Sequence, residues 1–145
     1  MKAFKYVIVM TMIGFFACEE EGVEKVPFTR ATGEFVAEFE LTQPFETQES
    51  HHFKIYNTSG SNDSLWIDEP DFFDSKVKVA RTGNKFSIEG GTDIIHGEIV
   101  NITGEVFPAK DSVHVEWRYL QGGDPADDYV VIANGHRYTG LDDDL

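Results

Sequence analysis

Hydrophobic and polar residues alternate along most of the chain after residue 33. The first such segment places apolar side chains on one side, at Phe35, Ala37, Phe39 and Leu41, and glutamates on the other, at Glu34, Glu38 and Glu40. Successive side chains of an extended strand point to opposite faces. This period of two therefore predicts a strand with one buried and one solvated face.

The same alternation recurs in seven more segments, at residues 52–56, 65–67, 76–79, 85–88, 97–107, 113–119 and 129–138. Turn-forming residues separate several of them, at 60–63, 83–84, 90–91 and 122–125. No convincing amphipathic helix is found after the first 17 residues. The pattern predicts an all-β fold: a single antiparallel β-barrel of about eight strands or, as the alternative, a β-sandwich. The barrel is preferred because about eight strands close around an interior that side chains or one small ligand can fill.

Residues 1–17 have the layout of a signal peptide. Lys2 and Lys5 precede a run from Val7 to Phe16 that contains no charged residue. That run is about ten residues long, whereas a helix needs roughly 20 to cross a bilayer, so it predicts targeting and not a permanent span. We expect the mature chain to begin at Cys18.

Cys18 ends the sequence Phe15-Phe16-Ala17-Cys18, which resembles the lipobox of bacterial lipoproteins. The resemblance implies cleavage after the small residue Ala17 and lipidation of the Cys18 sulfur, for example with palmitate. No other cysteine is present, so the chain cannot form an internal disulfide. Glu19 to Glu21 resemble the signal that sends Bacteroidetes lipoproteins outward. We therefore expect a lipid-anchored protein of the outer membrane, at the cell surface.

The remaining chain divides into an acidic tether at residues 18–30 and one β-barrel domain at residues 31–145. The net charge is −14, and about −16 without Lys2 and Lys5. A nucleic acid is not an expected partner, because phosphate binding needs a basic patch. The charge also opposes adsorption to anionic lipid, so the acyl anchor on Cys18 must hold the protein to the membrane.

Three stretches resemble the small Bacteroidetes lipoproteins known as lipid-binding putative hydrolases. They are residues 52–58 with 64–68, residues 76–79, and residues 111–113 continuing to Gly135-His136-Arg137-Tyr138-Thr139-Gly140. The resemblance covers about residues 35–141. It implies a lipocalin-like fold and a lipid ligand, but it supplies no catalytic residues.

Several patterns suggest chemistry, and each has a structural alternative. Ser112, His114 and Glu116 share one face of a strand, as a hydrolase would need and as the polar outer face of a half-buried strand would also show. Clusters of acids around Pro70 and at residues 124–128 could bind calcium, but exposed acidic turns are the preferred interpretation. The five histidines lack helical zinc spacing, and His51 and His52 should point to opposite faces. No metal or other cofactor is expected.

Aromatic residues are the candidates for a ligand wall. Those that could line an apolar cavity, or simply fill the barrel, are Trp66, Phe72, Phe73, Trp117, Tyr119 and Tyr129. His136 and Arg137 could bind an anion such as a carboxylate. The preferred alternative is that Arg137 closes one barrel end by pairing with acids such as Asp142.

Three functions follow from these observations. The first is a lipid-anchored, lipocalin-like protein that binds a lipid or another apolar small molecule. The second is a hydrolase of lipid or glycan, in which a nucleophile or a carboxylate pair converges with a histidine. The third is an accessory envelope lipoprotein that binds a protein partner.

Overall fold

The computed structural model of the protein describes residues 31–42, 45–122 and 128–140. Eight strands make up this part: β1 (Gly33–Thr42), β2 (Phe45–Thr58), β3 (Ser61–Glu69), β4 (Ser75–Thr82), β5 (Lys85–Thr92), β6 (Ile99–Phe107), β7 (Ser112–Tyr119) and β8 (Tyr129–Arg137). No helix in this part is long and apolar enough to cross a bilayer. The predicted signal peptide, Cys18 and the tether lie outside the described residues.

The strands form one closed antiparallel barrel in which neighbours in sequence are neighbours in space. The barrel closes where β8 pairs with β1, from Phe35 opposite Arg137 to Leu41 opposite Val131. This arrangement confirms the predicted lipocalin-like barrel over the sandwich. Closure also leaves no open sheet edge between the first strand and the last.

The apolar half of each alternating strand fills the barrel. In β7 the core residues Val113, Val115, Trp117 and Tyr119 alternate with half-buried polar ones. Aromatic rings stack through the centre: Phe35 lies 5.6 Å from Phe53, and Phe39 lies 6.0 Å from Trp117. Such ring pairs stabilise a core beyond the area that they bury.

The two ends of the barrel differ. One end is formed by the short turns at residues 59–60, 83–84 and 108–111, and we call it the narrow end. In the second of these turns Gly83 has φ 62°, which the first central position of a type II′ hairpin requires. We call the mouth the opposite end, where residues 70–74 link β3 to β4 and residues 93–98 link β5 to β6.

Arg137 closes the narrow end, as the preferred alternative predicted. Its guanidinium lies 5.1 Å from the centre of the Phe35 ring and donates a 2.8 Å hydrogen bond to the Thr32 carbonyl. Its Nε also lies 3.8 Å from a carboxylate oxygen of Asp111. The suggested partner Asp142 lies outside the described residues.

Nearby, a Cβ on Gly135 would overlap the Val36 carbonyl and Ala37, so only glycine lets β8 approach β1 this closely.

Strand ends depart from the predicted ones around three glycine-containing stretches. Residues 61–63, predicted as part of a turn, belong to β3. Residues 90–91 belong to β5 instead of a turn, and the β5–β6 register shifts there between Ile88 and Gly91. Gly97 lies in a turn with φ 76°, so β6 begins only at Ile99. A bulge absorbs an extra residue without ending a strand, which the local sequence alone does not reveal.

Candidate ligand-binding site

A cavity of about 250 Å³ opens at the mouth of the barrel. Its lining combines apolar and aromatic side chains with three polar ones: Leu41, Phe72, Phe73, Tyr119, Tyr129 and Val131, together with His96, Glu98 and Gln121. These residues come from strands β1, β7 and β8 and from the connections β3–β4, β5–β6 and β7–β8. A mainly apolar concavity with a few polar groups is typical of small-molecule sites.

Glu69 holds the loop that supplies Phe72 and Phe73. Its carboxylate is fully buried and accepts hydrogen bonds from the backbone N–H groups of Asp71 (3.0 Å), Phe72 (2.8 Å) and Phe73 (2.9 Å). Three donors compensate the buried charge. The prediction that the acids around Pro70 all lie in an exposed turn is therefore wrong for Glu69, because this side chain folds back under its own loop. It is also wrong for Asp68, which lies half-buried in β3.

Phe73 seals the cavity from the barrel centre. Its ring lies 5.5 Å from Trp117 and 6.0 Å from Tyr119, both in edge-to-face contact. Phe72 lies beside it, stacked at 5.3 Å on the His51 ring. Phe73 and Trp117 thus fill the barrel below this cavity, which opens at the mouth.

Tyr119 forms one wall of the cavity and is fixed by two buried polar residues. Its hydroxyl lies 2.7 Å from Ser75 Oγ and 3.1 Å from Asp93 Oδ2. Burial raises the pKa of Tyr119, and the negative charge of Asp93 adds to this effect, so the phenol stays neutral. Asp93 also accepts hydrogen bonds from the backbone N–H groups of Lys76 (3.2 Å) and Ile95 (2.9 Å).

Asp93 connects β4 to the loop after β5 at a part of the barrel wall with few ladder hydrogen bonds. The described β4–β5 pairing covers only three residue pairs, from Ala80 opposite Ser87 to Thr82 opposite Lys85. Towards the mouth, Asp93 and the 3.0 Å hydrogen bond from the Ile94 N–H to the Lys76 carbonyl connect the two sides. A buried side chain thus takes the place of missing ladder hydrogen bonds.

The polar rim is held from the β7–β8 side. Gln121 donates a 3.2 Å backbone hydrogen bond to Asp128, whose other oxygen lies 3.8 Å from Arg118. Asp128 is buried, which corrects the prediction that it belongs to an exposed acidic turn; Asp124 and Asp127 lie outside the described residues. The paired Arg118 and Gln121 explain why a carboxylate can be buried here.

A family model described as "Lipid-binding putative hydrolase" matches residues 20–142. The chain belongs to this family. The match confirms the family to which the sequence motifs point, and it spans the whole barrel. A search of curated proteins finds no match.

The family description names both lipid binding and hydrolysis. The residues predicted for these two activities lie in different parts of the structure. Tyr119 and Tyr129 meet at the cavity, and Trp117 lies fully buried below it. Trp66 lies on the outer wall, by which we mean the face of the strands opposite the core, with Lys76 Nζ 5.8 Å from its ring. The cavity therefore gathers two of the four tyrosine and tryptophan candidates.

His136 and Arg137 point to opposite sides of β8. His136 is exposed on the outer wall, and Arg137 lies at the narrow end, away from the mouth. Consecutive strand residues cannot share one face. The structure thus does not bring these two side chains together at a common anion.

Ser112, His114 and Glu116 lie on the outer wall, as their structural alternative predicted. His114 Nδ1 is 2.7 Å from Asn134 Oδ1. His51 and His52 do face opposite ways: His51 stacks on Phe72, whereas His52 lies 3.2 Å from Glu34 on the outer wall. Within residues 31–42, 45–122 and 128–140, no group of three or more metal-ligand side chains converges.

Sequence reasoning anticipated the aromatic lining but missed Leu41, His96, Glu98, Gln121 and Val131. Only the closed topology brings these five positions to one end. Glu69 carried a usable signal, because an acid followed by proline and two adjacent phenylalanines marks a loop that must hide aromatic rings.

Proposed function

We propose that the protein binds one lipid or other amphipathic small molecule, with its apolar part in the mouth cavity. The observation that carries the proposal is the cavity itself, walled by Phe72, Phe73, Tyr119 and Val131 and rimmed by polar side chains. Membership of a lipid-binding family supports the same ligand class.

The volume of the cavity and the charge of the protein limit the class of ligand that can bind. The 250 Å³ cavity is close to the lower end, about 300 Å³, of typical small-molecule sites, so it suits one short apolar chain and not a whole phospholipid. Glu98 lies at the rim, and the chain carries a net charge of −14. A neutral or cationic head group should therefore bind better than a carboxylate.

Binding fits this site better than hydrolysis. Among the described residues that line the cavity, His96 and Glu98 are present, but no serine, threonine or cysteine that could attack a substrate. Ser112 lies across from His136 in the β7–β8 ladder, on the outer wall and away from the cavity. A nucleophile and its base must converge where the substrate binds.

The site can be tested by filling it. Val131 lines the cavity, whereas its neighbour Val130 is not among the lining residues. We expect Val131→Phe to weaken binding of a short-chain aliphatic alcohol or amine by about tenfold, since the larger ring occupies the space of the ligand. Val130→Phe is the matched control and should bind normally. Displacement of an environment-sensitive dye measures affinity, and circular dichroism checks folding.

A second measurement does not depend on that substitution. Trp66→Phe leaves Trp117 as the single tryptophan, one ring below the cavity behind Phe73. A brominated alkyl ligand should quench its emission. Saturable dye binding that Val131→Phe and Val130→Phe reduce equally, without quenching of Trp117, would contradict the mouth site.

We also propose that lipidated Cys18 anchors the protein to the outer membrane at the cell surface. The sequence Phe15-Phe16-Ala17-Cys18 and the acids that follow it support this placement. Incorporation of labelled palmitate should disappear in Cys18→Ser. Protease added to intact cells should digest the anchored protein, and protection of the whole population would place it inside the envelope instead.

A further inference from the structure

Large hydrophobic side chains are exposed mainly around the mouth. Of the five that are exposed in the described part of the chain, four lie there: Ile94 (55% exposed), Ile95 (47%), Ile99 (43%) and Tyr129 (45%). The fifth, Phe107 (37%), ends β6 at the narrow end. Single exposed apolar residues are ordinary, but a group beside a cavity indicates an interaction surface.

The loop that carries Ile94 and Ile95 is held in place by hydrogen bonds. Asp93 accepts from the Ile95 N–H, and the Asp93 carbonyl accepts a 2.7 Å bond from the Gly97 N–H. The Ile94 N–H bonds to the Lys76 carbonyl. The loop therefore presents both isoleucines from a fixed backbone, next to the cavity-lining residues His96 and Glu98.

We propose that the mouth docks onto the surface of a lipid bilayer, with Ile94, Ile95 and Ile99 at the boundary between head groups and acyl chains. This inference rests on the proposed function, since Tyr129 belongs both to the exposed group and to the cavity wall. Docking would let an apolar ligand pass between bilayer and cavity without crossing water. Apolar side chains on a small surface support such interfacial contact.

Charge selects the kind of bilayer. Exposed Asp71 and Asp74 lie in the β3–β4 loop, and exposed Glu98 lies at the rim. These carboxylates repel anionic head groups, so we assign a zwitterionic surface to the mouth. A second copy of this chain is the poorer occupant, because both partners would carry the same acidic rim and a net charge of −14.

The length of chain before the barrel permits this contact. The chain reaches β1 at Gly33, next to Arg137 at the narrow end, so an anchor at Cys18 is attached opposite the mouth. The thirteen residues from Cys18 to Arg30 can span at most about 45 Å, whereas a nine-residue strand such as β8 is about 30 Å long. The anchored barrel can therefore turn its mouth towards the membrane that holds it.

The test uses the mature protein purified from bacterial envelopes and reconstituted in phosphatidylcholine vesicles. Ile95→Trp places a reporter at the mouth, and Phe107→Trp places a matched reporter at the narrow end, both in the Trp66→Phe background. The emission of Trp117, measured under the same conditions in Trp66→Phe alone, is subtracted from both. We expect brominated phosphatidylcholine to lower the emission of Trp at 95 by about twofold, as for a ring at the acyl boundary. Trp at 107 should change little.

Adding phosphatidylglycerol should reduce the quenching at position 95. Equal quenching at positions 95 and 107 would overturn the proposal, and so would a blue shift at position 95 that grows with protein concentration without vesicles, which would indicate self-association. Ile94→Ser with Ile95→Ser should slow ligand transfer from vesicles about tenfold, whereas Phe107→Ser should not. Dye displacement by the short-chain alcohol, measured on the same samples, tests the cavity separately, so docking can fail while the proposed function survives.

Discussion

Glu69 shows how one carboxylate can shape a binding site that it does not touch. It accepts three backbone hydrogen bonds from the loop that carries Phe72 and Phe73, and these two rings form the floor of the cavity. An oxygen that is lost here leaves a buried N–H group without an acceptor, which costs more than an ordinary hydrogen bond contributes. Loop position and cavity shape therefore depend on this residue together.

We expect Glu69→Gln to lower the free energy of unfolding by about 1–3 kcal/mol, because an amide NH₂ cannot accept the bond that a carboxylate oxygen accepts. Ligand affinity should fall as well, since Phe72 and Phe73 lose their support. Urea denaturation measures the first effect and dye displacement the second. Asp71→Asn, an exposed acid of the same loop, should change neither. A Glu69→Gln protein of unchanged stability would show that the second acceptor oxygen is dispensable.

Residue identity alone did not reveal this role. Glu69 and Asp93 look like members of acidic, solvated turns, yet both are fully buried. The donors to Glu69 belong to its own loop, whereas Asp93 also accepts from the Tyr119 hydroxyl, which is distant in sequence. The pairing of Arg137 with an acid at the barrel end was foreseeable in kind, whereas its partner Asp111 follows from register.

At the scale of elements, a polar cluster on the outer wall joins β2, β3 and β4. Asp68 accepts hydrogen bonds from Tyr56 (2.7 Å) and Lys76 (2.8 Å), and Lys76 Nζ lies 5.2 Å from the Tyr56 ring. Burial alone would raise the pKa of Asp68, but the hydrogen bonds from Lys76 and Tyr56 outweigh it and lower the pKa. The same bond raises the pKa of Lys76.

These shifts predict acid sensitivity. A carboxylate with a lowered folded-state pKa contributes stability above its unfolded pKa, and this contribution is lost between about pH 5 and pH 2 as pH falls. Asp68→Asn should therefore cost about 0.5–1 kcal/mol at pH 7 and make unfolding less dependent on pH in that window. Thermal unfolding from pH 3 to pH 7 checks this. Glu89→Gln, at an exposed acid of β5, should keep the wild-type dependence of Tm on pH. Parallel pH profiles for Asp68→Asn and wild type would exclude the Asp68 cluster as a source of acid sensitivity.

The alternation of apolar and polar residues was enough to predict about eight strands. Buried Phe35, Ala37 and Phe39 lie where the period of two places them. The pattern could not show that β4 and β5 pair over only three residue pairs, because alternation specifies which face is buried and not which backbone groups bond. The hydrogen bond from the Lys76 N–H to Asp93 joins β4 to the loop after β5, so it cannot be predicted from either segment alone.

For the molecule as a whole, the excess of acids opposes the compact state. With 26 acidic and 12 basic residues, the chain has a net charge of −14, and the self-repulsion of this charge is smaller in an expanded chain. We expect 0.2 M sodium chloride to raise the Tm by about 3–5 °C relative to 0.02 M, because screening relieves this repulsion. Scanning calorimetry with choline chloride as the control salt distinguishes screening from sodium binding; a Tm that falls with both salts would mean that attractive pairs dominate.

The position of the cavity could be predicted only in part. Aromatic residues suggested an interior ligand wall, but Phe39, Phe53 and Trp117 fill the barrel centre, which moves the open space to the mouth. Whether eight strands enclose a void depends on side-chain volumes that come together after closure. The lining residues Leu41, Glu98 and Val131 stand far apart along the chain and carry no common motif.

Closure of β8 on β1 also sets the timing of assembly. Every other pairing joins strands that follow one another, so seven hairpin-like contacts can form as the chain lengthens, whereas the last contact joins Phe35 to Arg137 across the whole domain. Contacts this distant in sequence are slow to form. During synthesis one edge of β1 must wait for the final strand. Any chain that stops before Tyr129 keeps two exposed edges, which makes an incomplete barrel a target for aggregation or proteolysis.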